Sequence, residues 1–234
     1  MVSPVYFIAD DDQLGTMAEQ TRANRRLIVP LPDHVKPSVI AGGMIPAISS
    51  WIALTKRAPF VRGNSVLVLG AGGTSGQLAV QIAKLLGAGQ VIAASRSRTP
   101  IEEADVTCSL EDAATAASEV DIVLDYLWGS VTGQLMPALL KRREAEHRAI
   151  HWVLIGSVTG DELALSSVLL RKRNLHILGS GQGASSPQEL FSVVPAIVDA
   201  FAADQLRCAV REIPLRDVER AWTMNVRERV VFTP

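Results

Sequence analysis

The most regular pattern of apolar and polar positions lies between residues 65 and 94. The run 66–69 is continuously apolar and of strand length, which is typical of a parallel strand covered on both faces. From Gly76 onward the apolar positions recur at helical spacing, at Leu78, Ile82 and Leu85. Gly87 ends this helix, and a second apolar run follows at 91–94. The pattern predicts one βαβ unit with a glycine-rich turn after its first strand.

The alternation of strand and helix patterns continues through the middle of the chain. Further strands are predicted at 106–109, 120–125, 151–155 and 175–178, and helices at 132–148, 163–172 and 191–203. Such alternation predicts an α/β fold with a doubly wound parallel sheet of the Rossmann type, spanning about residues 60–205.

The two ends of the chain show different patterns. Short strands are predicted within residues 5–31, an apolar helix at 37–56 with a break at Pro46, and strands at 210–214 and 229–232 around a short helix through Val218 and Trp222. The ends together supply fewer than about 90 residues, which is little for an independent domain.

Composition and charge exclude several classes of function. The 234 residues are 48% hydrophobic, and 23 basic side chains nearly balance 24 acidic ones. A net charge of -1 provides no long-range attraction to nucleic acid or to an anionic membrane. No run approaches the roughly 18 apolar residues of a membrane helix, and residues 1–4 lack the pattern of a signal peptide. We therefore expect a soluble, cytoplasmic protein of mixed structure.

The cysteines and histidines do not form a metal-ligand pattern. Cys108 and Cys208 are far apart in the sequence, and the four histidines show no ligand spacing, so no metal site is expected. The segment 156–160 also places its serine one position away from that of a nucleophile elbow.

The turn after the first strand of the βαβ unit has the composition of a phosphate-binding loop. It consists of Gly70, Ala71, Gly72, Gly73, Thr74, Ser75 and Gly76. The strict G-x-G-x-x-G spacing fails because Ser75 occupies its third position, whereas G-x-x-G-x-x-G through Gly70, Gly73 and Gly76 fits. Because this turn lies between a strand and a helix, it predicts a binding site for the diphosphate of a dinucleotide. The alternative is that the turn only allows the helix to pack on the strand.

The residues after the second strand predict which dinucleotide binds. An NAD site usually has an acidic residue there, whereas arginine accommodates the 2′-phosphate of NADP. The sequence is Ser95, Arg96, Ser97 and Arg98, without a carboxylate. It favours NADPH over NADH, unless the arginines are solvated loop charges.

Several segments, in the same order along the chain, resemble the medium-chain dehydrogenases/reductases. Within that family, the resemblance is strongest to the zinc-independent quinone oxidoreductase-like and enoyl reductase-like branch. The segments are 15–19 (GTMAE), 30–32 (PLP), 63–84 around the glycine turn, 125–129, 155–157, 178–183 and 214–222. The resemblance implies NADPH-dependent transfer of hydride to a quinone or an α,β-unsaturated carbonyl without zinc.

The resemblance also assigns cofactor contacts beyond the glycine turn. Ser49 is expected near the nicotinamide carboxamide, and Tyr126, Leu127 and Trp128 along the cofactor. Backbone contacts are expected from Gly156, Ser157, Leu178, Gly179, Ser180 and Gly181. The alternatives are that the two aromatic residues are packed in the core and that Ser49 bonds to its own helix. The catalytic residues remain unassigned, with Tyr126 as a candidate proton donor.

The chain departs from the family pattern in two places. Members of the family carry several dozen more residues before the segment that matches 5–7, forming most of a GroES-like substrate domain. We expect residues 1–58 to be a partial GroES-like domain, 59–205 the NADP-binding Rossmann domain, and 206–234 a return to the first. The crossover at 96–105 is too short for a helix. An NADPH-binding or interaction module without turnover is therefore the alternative function, and a homodimer or a partner chain is expected.

Overall fold

The computed structural model describes residues 4–9, 15–226 and 228–234. The strands in these ranges are β1 (Val5–Phe7), β2 (Ile28–Pro30), β3 (Ser65–Leu69), β4 (Gln90–Ser95), β5 (Val106–Ser109), β6 (Ile122–Asp125), β7 (Ile150–Leu154), β8 (Leu175–Gly179), β9 (Val210–Pro214) and β10 (Arg229–Thr233). The helices are α1 (Pro37–Ile52), α2 (Thr74–Leu85), α3 (Ala113–Ala116), α4 (Gly129–Arg142), α5 (Ser167–Lys172), α6 (Pro187–Ser192), α7 (Val194–Ala202) and α8 (Val218–Trp222). A π-helical turn, Ala53–Arg57, continues α1.

The chain divides into two compact units. Residues 49–185 form the sheet unit, and residues 1–48 with 186–234 form the terminal unit. The sheet unit contains six parallel strands in the order β5-β4-β3-β6-β7-β8. The doubly wound α/β fold predicted from the sequence is thereby confirmed. In such sheets the strand order reverses between the first and fourth strands, here β3 and β6, and ligands bind outside their carboxyl ends.

The core of the sheet unit explains the continuous apolar runs. The side chains of Val66 to Leu69 in β3 are fully buried, because helices cover both faces of a parallel sheet. Trp152 in β7 and Met136 in α4 are also fully buried, in one cluster with Leu67 and Leu69. The sheet is therefore a rigid support for the loops at its carboxyl edge.

The terminal unit contains two strand pairs. β1 and β2 are antiparallel, whereas β9 and β10 are parallel. In α1, a Cβ on Gly42 would lie 2.6 Å from Val210, and a Cβ on Gly43 2.6 Å from Phe201. Glycine is thus required where α1 packs against β9 and α7. Residues 10–14 of the predicted range 5–31 lie outside the described residues.

Proline positions account for two differences from the predicted helices. The break expected at Pro46 is wrong: α1 runs through it, because burial of its neighbours outweighs a cost of about 3 kcal/mol for an internal proline. The helix predicted at 191–203 is instead divided into α6 and α7, since Pro195 has no N–H to continue the ladder.

Residues 37–57 form one helical segment of 21 residues that is long and apolar enough, by length and composition, to cross a membrane. The expectation that no run approaches such a length is therefore wrong. However, 67% of its most apolar stretch is buried inside the protein, as in the core helix of a soluble protein.

Candidate nucleotide-binding site

The glycine turn and the loop after β6 meet at the carboxyl ends of β3 and β6. Gly70 follows β3 with a φ of +88°, a conformation that favours glycine. A Cβ on Gly70 would lie 3.1 Å from Leu127 Cδ2 and 3.4 Å from Tyr126 Cβ. The structure thus brings together two of the predicted segments at the point where a doubly wound sheet binds its ligands.

The inner side of the glycine turn is closely packed. The backbone amides of Gly70 and Ala71 both donate to the carbonyl of Ala94, at 3.0 and 3.1 Å. A Cβ on Gly76 would lie 2.4 Å from the Gly70 carbonyl oxygen, a distance that no side chain tolerates. Gly76 therefore allows α2 to begin directly against the turn.

The outer side of the turn is open. Gly72 and Gly73 are exposed, and Thr74 and Ser75 are half-buried. Gly73 is the N-cap of α2, and a Cβ there would meet nothing closer than 3.8 Å. The first amides of a helix are not used within the helix, and its dipole favours an anion at this end. The turn therefore fits a dinucleotide diphosphate approaching the backbone.

The end of β4 presents two arginines in different surroundings. Ser95 is buried, and its hydroxyl donates to the carbonyl of Ser97 at 2.6 Å. Arg96 is exposed, whereas Arg98 forms an ion pair with Asp112 at 2.6 Å, with 74% of the arginine side chain exposed. The sequence reasoning missed Asp112, which lies 14 residues further along the chain than Arg98.

The loop after β6 is organised by Asp125. One carboxylate oxygen accepts from the amides of Leu127 and Trp128, at 2.8 and 3.0 Å. The other accepts from the Thr132 hydroxyl at 2.6 Å and from the Trp152 indole at 2.8 Å. These bonds hold Trp128 at a φ of +51°, which is unusual for a bulky residue. Strain of this kind concentrates at functional sites.

Tyr126 is buried beneath this loop. Its hydroxyl lies 2.7 Å from the hydroxyl of Ser50 in α1. Burial raises the pKa of the Tyr126 phenol well above its ordinary value. Ser49, the predicted carboxamide contact, is the half-buried neighbour of Ser50. Tyr126 and Ser50 form a structural pair, and no pattern in the sequence indicated Ser50.

The loop after β7 lies directly against the loop after β6. The amide of Gly156 donates to the Asp125 carbonyl at 3.1 Å, and a Cβ on Gly156 would lie 3.0 Å from the Tyr126 carbonyl oxygen. The hydroxyl of Thr159 donates to the carbonyls of Leu127 and Trp128. Two of the predicted loops thus form one hydrogen-bonded layer. Ser157, in the same loop, is exposed, and its hydroxyl donates to Asp161 at 2.6 Å.

The loop after β8 contains the last group of predicted contacts. Leu178 is half-buried, Gly179 and Gly181 are exposed, and Ser180 is buried. The Ser180 amide donates to the Leu154 carbonyl at 2.8 Å. Arg57, which the sequence reasoning did not identify, donates from its Nε to the Gly179 carbonyl at 2.8 Å.

The described residues do not gather three or more His, Cys, Asp or Glu side chains in a metal-binding group. Cys108 is buried and Cys208 half-buried, both as free thiols. Burial raises the pKa of each thiol, which makes the nucleophilic thiolate less populated.

Comparison with known proteins shows a similarity in sequence. The chain is 30% identical, over 231 residues, to the probable NADPH-dependent quinone reductase tdiC of Emericella nidulans. The alignment covers 86% of this chain and 63% of the relative, so the chain spans less than two thirds of that protein. No protein-family model matches the chain.

Solved structures show the same architecture. The quinone oxidoreductase of Thermus thermophilus, solved also in complex with NADPH, superposes with a TM-score of 0.70 at 23% identity, over 90% of this chain and 69% of that one. A cobalt- and zinc-bound thermostable alcohol dehydrogenase from Pyrobaculum aerophilum superposes with a TM-score of 0.69 at 26% identity, over 90% and 61%. The chain is thus similar by sequence to a probable quinone reductase and has the fold of the quinone oxidoreductases, in agreement with the resemblance to that branch of the medium-chain dehydrogenases/reductases.

Proposed function

We propose that this chain binds NADPH and transfers hydride to a quinone or an α,β-unsaturated carbonyl. The observation that carries the proposal is the open glycine turn at the switch point between β3 and β6, with Arg96 exposed after β4. The relative from Emericella nidulans carries the name of an NADPH-dependent quinone reductase, which supports both the cofactor and the class of acceptor.

In this proposal, different residues bind different parts of NADPH. The amides at the start of α2 hold the diphosphate, and Gly72 and Gly73 leave the backbone open to it. Arg96 holds the 2′-phosphate with a charge-assisted hydrogen bond. When bound, NADPH supplies the hydride from its nicotinamide ring, and the loops after β6, β7 and β8 orient that ring and exclude water. The chemistry therefore depends mainly on proximity.

Tyr126 is not assigned the role of proton donor in this proposal. Its hydroxyl is bonded to Ser50, and a buried phenol whose pKa is raised by burial holds its proton firmly. In this proposal, the product therefore takes its proton from water or from a residue of the substrate domain.

The proposed reaction proceeds without zinc, as the family resemblance implies. No role in it is given to a metal ligand, and the described residues contain no group of three such side chains. The similar alcohol dehydrogenase from Pyrobaculum aerophilum holds cobalt and zinc, so independence from metal requires its own test. A cytoplasmic location and a homodimer belong to the same proposal.

Binding and turnover are tested separately on the purified chain. Calorimetry with NADPH and with NADH should give tighter binding of NADPH, and NADPH should raise the melting temperature. Oxidation of NADPH is then followed spectrophotometrically with an ortho-quinone and with an enone, in the presence of a metal chelator. No heat and no thermal shift would overturn the proposal. Binding without oxidation would identify the chain as an NADPH-binding module, and activity that requires added zinc would refute the zinc-free reaction.

A further inference from the structure

We propose that Arg57 is a positioning residue that holds the loop 179–184, hereafter the β8 loop, in the conformation that receives NADPH. This inference rests on the function proposed above. It concerns a residue outside the glycine turn that acts through the backbone of another segment.

The guanidinium of Arg57 joins the two ends of the β8 loop. Its Nε donates to the carbonyl of Gly179 at 2.8 Å, and its Nη1 donates to the carbonyl of Ala184 at 3.2 Å. A planar guanidinium presents several donors in a fixed geometry, whereas a lysine ammonium does not. Both bonds therefore depend on arginine rather than on positive charge alone.

The position of Arg57 follows from the π-helical turn after α1. The amide of Ala58 donates to the carbonyl of Ala53 at 2.9 Å, five residues back, which closes the wider turn. π-helical turns are rare in proteins, and many of those that occur lie at functional sites. Ser50, which lies earlier in the same helical segment 37–57, bonds to Tyr126 in the loop after β6. The same helical segment thus anchors the loops after β6 and β8, and the loop after β7 is bonded to the first of these.

The glycines of the β8 loop lie in open surroundings. A Cβ on Gly179, Gly181 or Gly183 would meet no atom within 4 Å, and Gly183 has a φ of +89°. The amide of Ser180, which is buried, ties the start of the loop to the Leu154 carbonyl at 2.8 Å, and the amide of Ala184 closes a turn inside the loop by donating to the Gly181 carbonyl at 3.0 Å. The remaining residues, 181–184, are exposed. Exposed glycine-rich backbone has many accessible conformations, so the two bonds from Arg57 select one of them.

The charge of Arg57 also suits the proposed ligand. In the described part of the chain, both bonds from its guanidinium go to carbonyl oxygens, and no carboxylate pairs with it. Its positive charge is therefore not neutralised at the carboxyl edge of the sheet, where an anionic dinucleotide approaches.

The test compares R57A, R57K and K56A. Lys56 is the exposed neighbour of Arg57 and serves as the control for charge and for position on the same turn. In R57A and R57K we expect the KM for NADPH to rise about tenfold, with kcat and the KM for the quinone within about twofold of wild type. K56A should match wild type. Methylguanidinium added to R57A should lower the KM for NADPH again.

Hydrogen exchange without nucleotide tests the clamp independently of activity. The amides of 181–184 should exchange faster in R57A and R57K than in wild type and K56A, while β3 and β6 remain protected. Unchanged exchange, or an unchanged KM for NADPH in a folded R57A, would overturn the role of Arg57 alone. Failure of the wild-type chain to bind NADPH would overturn the proposed function, and with it this inference.

Discussion

Trp152 donates its indole N–H to the carboxylate of Asp125 at 2.8 Å, and both side chains are fully buried in the sheet unit. The same oxygen accepts from Thr132, and the other oxygen accepts from two amides of the loop after β6. A buried carboxylate is tolerated only when its hydrogen-bonding capacity is used, and here four donors use it. This arrangement connects the core directly to the shape of a site loop.

The Asp125→Asn substitution should lower the free energy of unfolding by about 2 kcal/mol. The asparagine amide places a donor opposite the Trp152 indole, which loses its acceptor, whereas the Thr132 hydroxyl can rotate. Urea unfolding measures the loss. In the D125N background, W152F should recover part of it, because the unpaired indole N–H is removed; two additive losses would refute this coupling.

Substitution of Gly73 should mainly affect NADPH binding, whereas substitution of Gly76 should mainly affect stability. G76A should destabilise the protein by several kcal/mol, because its Cβ would meet the Gly70 carbonyl oxygen at 2.4 Å. G73A should cost only about 1 kcal/mol as a changed N-cap, since its nearest neighbour is 3.8 Å away. Yet G73A should weaken NADPH binding about tenfold, because the methyl group stands where the diphosphate approaches the backbone.

Thermal melts and calorimetry on the two variants check this prediction. G15A is the matched control, because it changes an exposed glycine whose Cβ would meet no atom within 4 Å and which has no expected contact with the cofactor. G15A should melt and bind NADPH as wild type does. A G73A variant that binds NADPH with wild-type affinity would place the diphosphate elsewhere.

The central strands of the sheet could be predicted from the sequence because they are buried on both faces. The run at 66–69 lies within β3, and the run at 91–94 is extended by one residue at each end in β4. Buried parallel strands leave a continuous apolar run between turn residues. Helix ends were less predictable: the helix expected at 132–148 begins at Gly129 and ends at Arg142.

The partners of the site residues could not be predicted, because each is distant along the chain. Arg57 and Gly179 are separated by 122 residues, and Ser50 and Tyr126 by 76. Neither pair leaves a local pattern. Asp125 did carry a signal, since an acidic residue that closes an apolar strand requires buried partners. The domain boundaries at 58 and 205 and the contacts to the nicotinamide stay predictions.

Arg96 and Arg98 should contribute unequally to the choice between NADPH and NADH. Arg98 is paired with Asp112, but an exposed ion pair is worth at most about 1 kcal/mol, so a phosphate can recruit it at little cost. We expect R96A to weaken NADPH binding about tenfold and leave NADH unchanged, and D112N to strengthen NADPH binding about threefold.

Calorimetry at low and at high salt measures both effects, which should shrink as salt screens the charges. The S109A variant controls for the hydrogen bond that Ser109 donates to Asp112 at 2.7 Å. If neither R96A nor R98A changes the ratio of NADPH to NADH affinity, both arginines are solvated loop charges.

His151 should make stability depend on pH. His151 and His176 are register partners in β7 and β8, and their rings stack with centroids 4.7 Å apart. Burial and the neighbouring His176 lower the pKa of His151, against a smaller opposing effect of Asp121, which is itself paired with Arg148. The folded state therefore binds fewer protons than the unfolded chain as the pH falls below about 6.5, and stability must decrease with the pH over that range.

Melting temperatures between about pH 8 and 5.5 should show a shallower acid decline in H151Q than in wild type, because glutamine does not titrate. H147Q, which makes the same substitution at an exposed histidine, is the control for the loss of a histidine elsewhere in the chain. Equal slopes in wild type and H151Q would remove His151 as the source of the dependence.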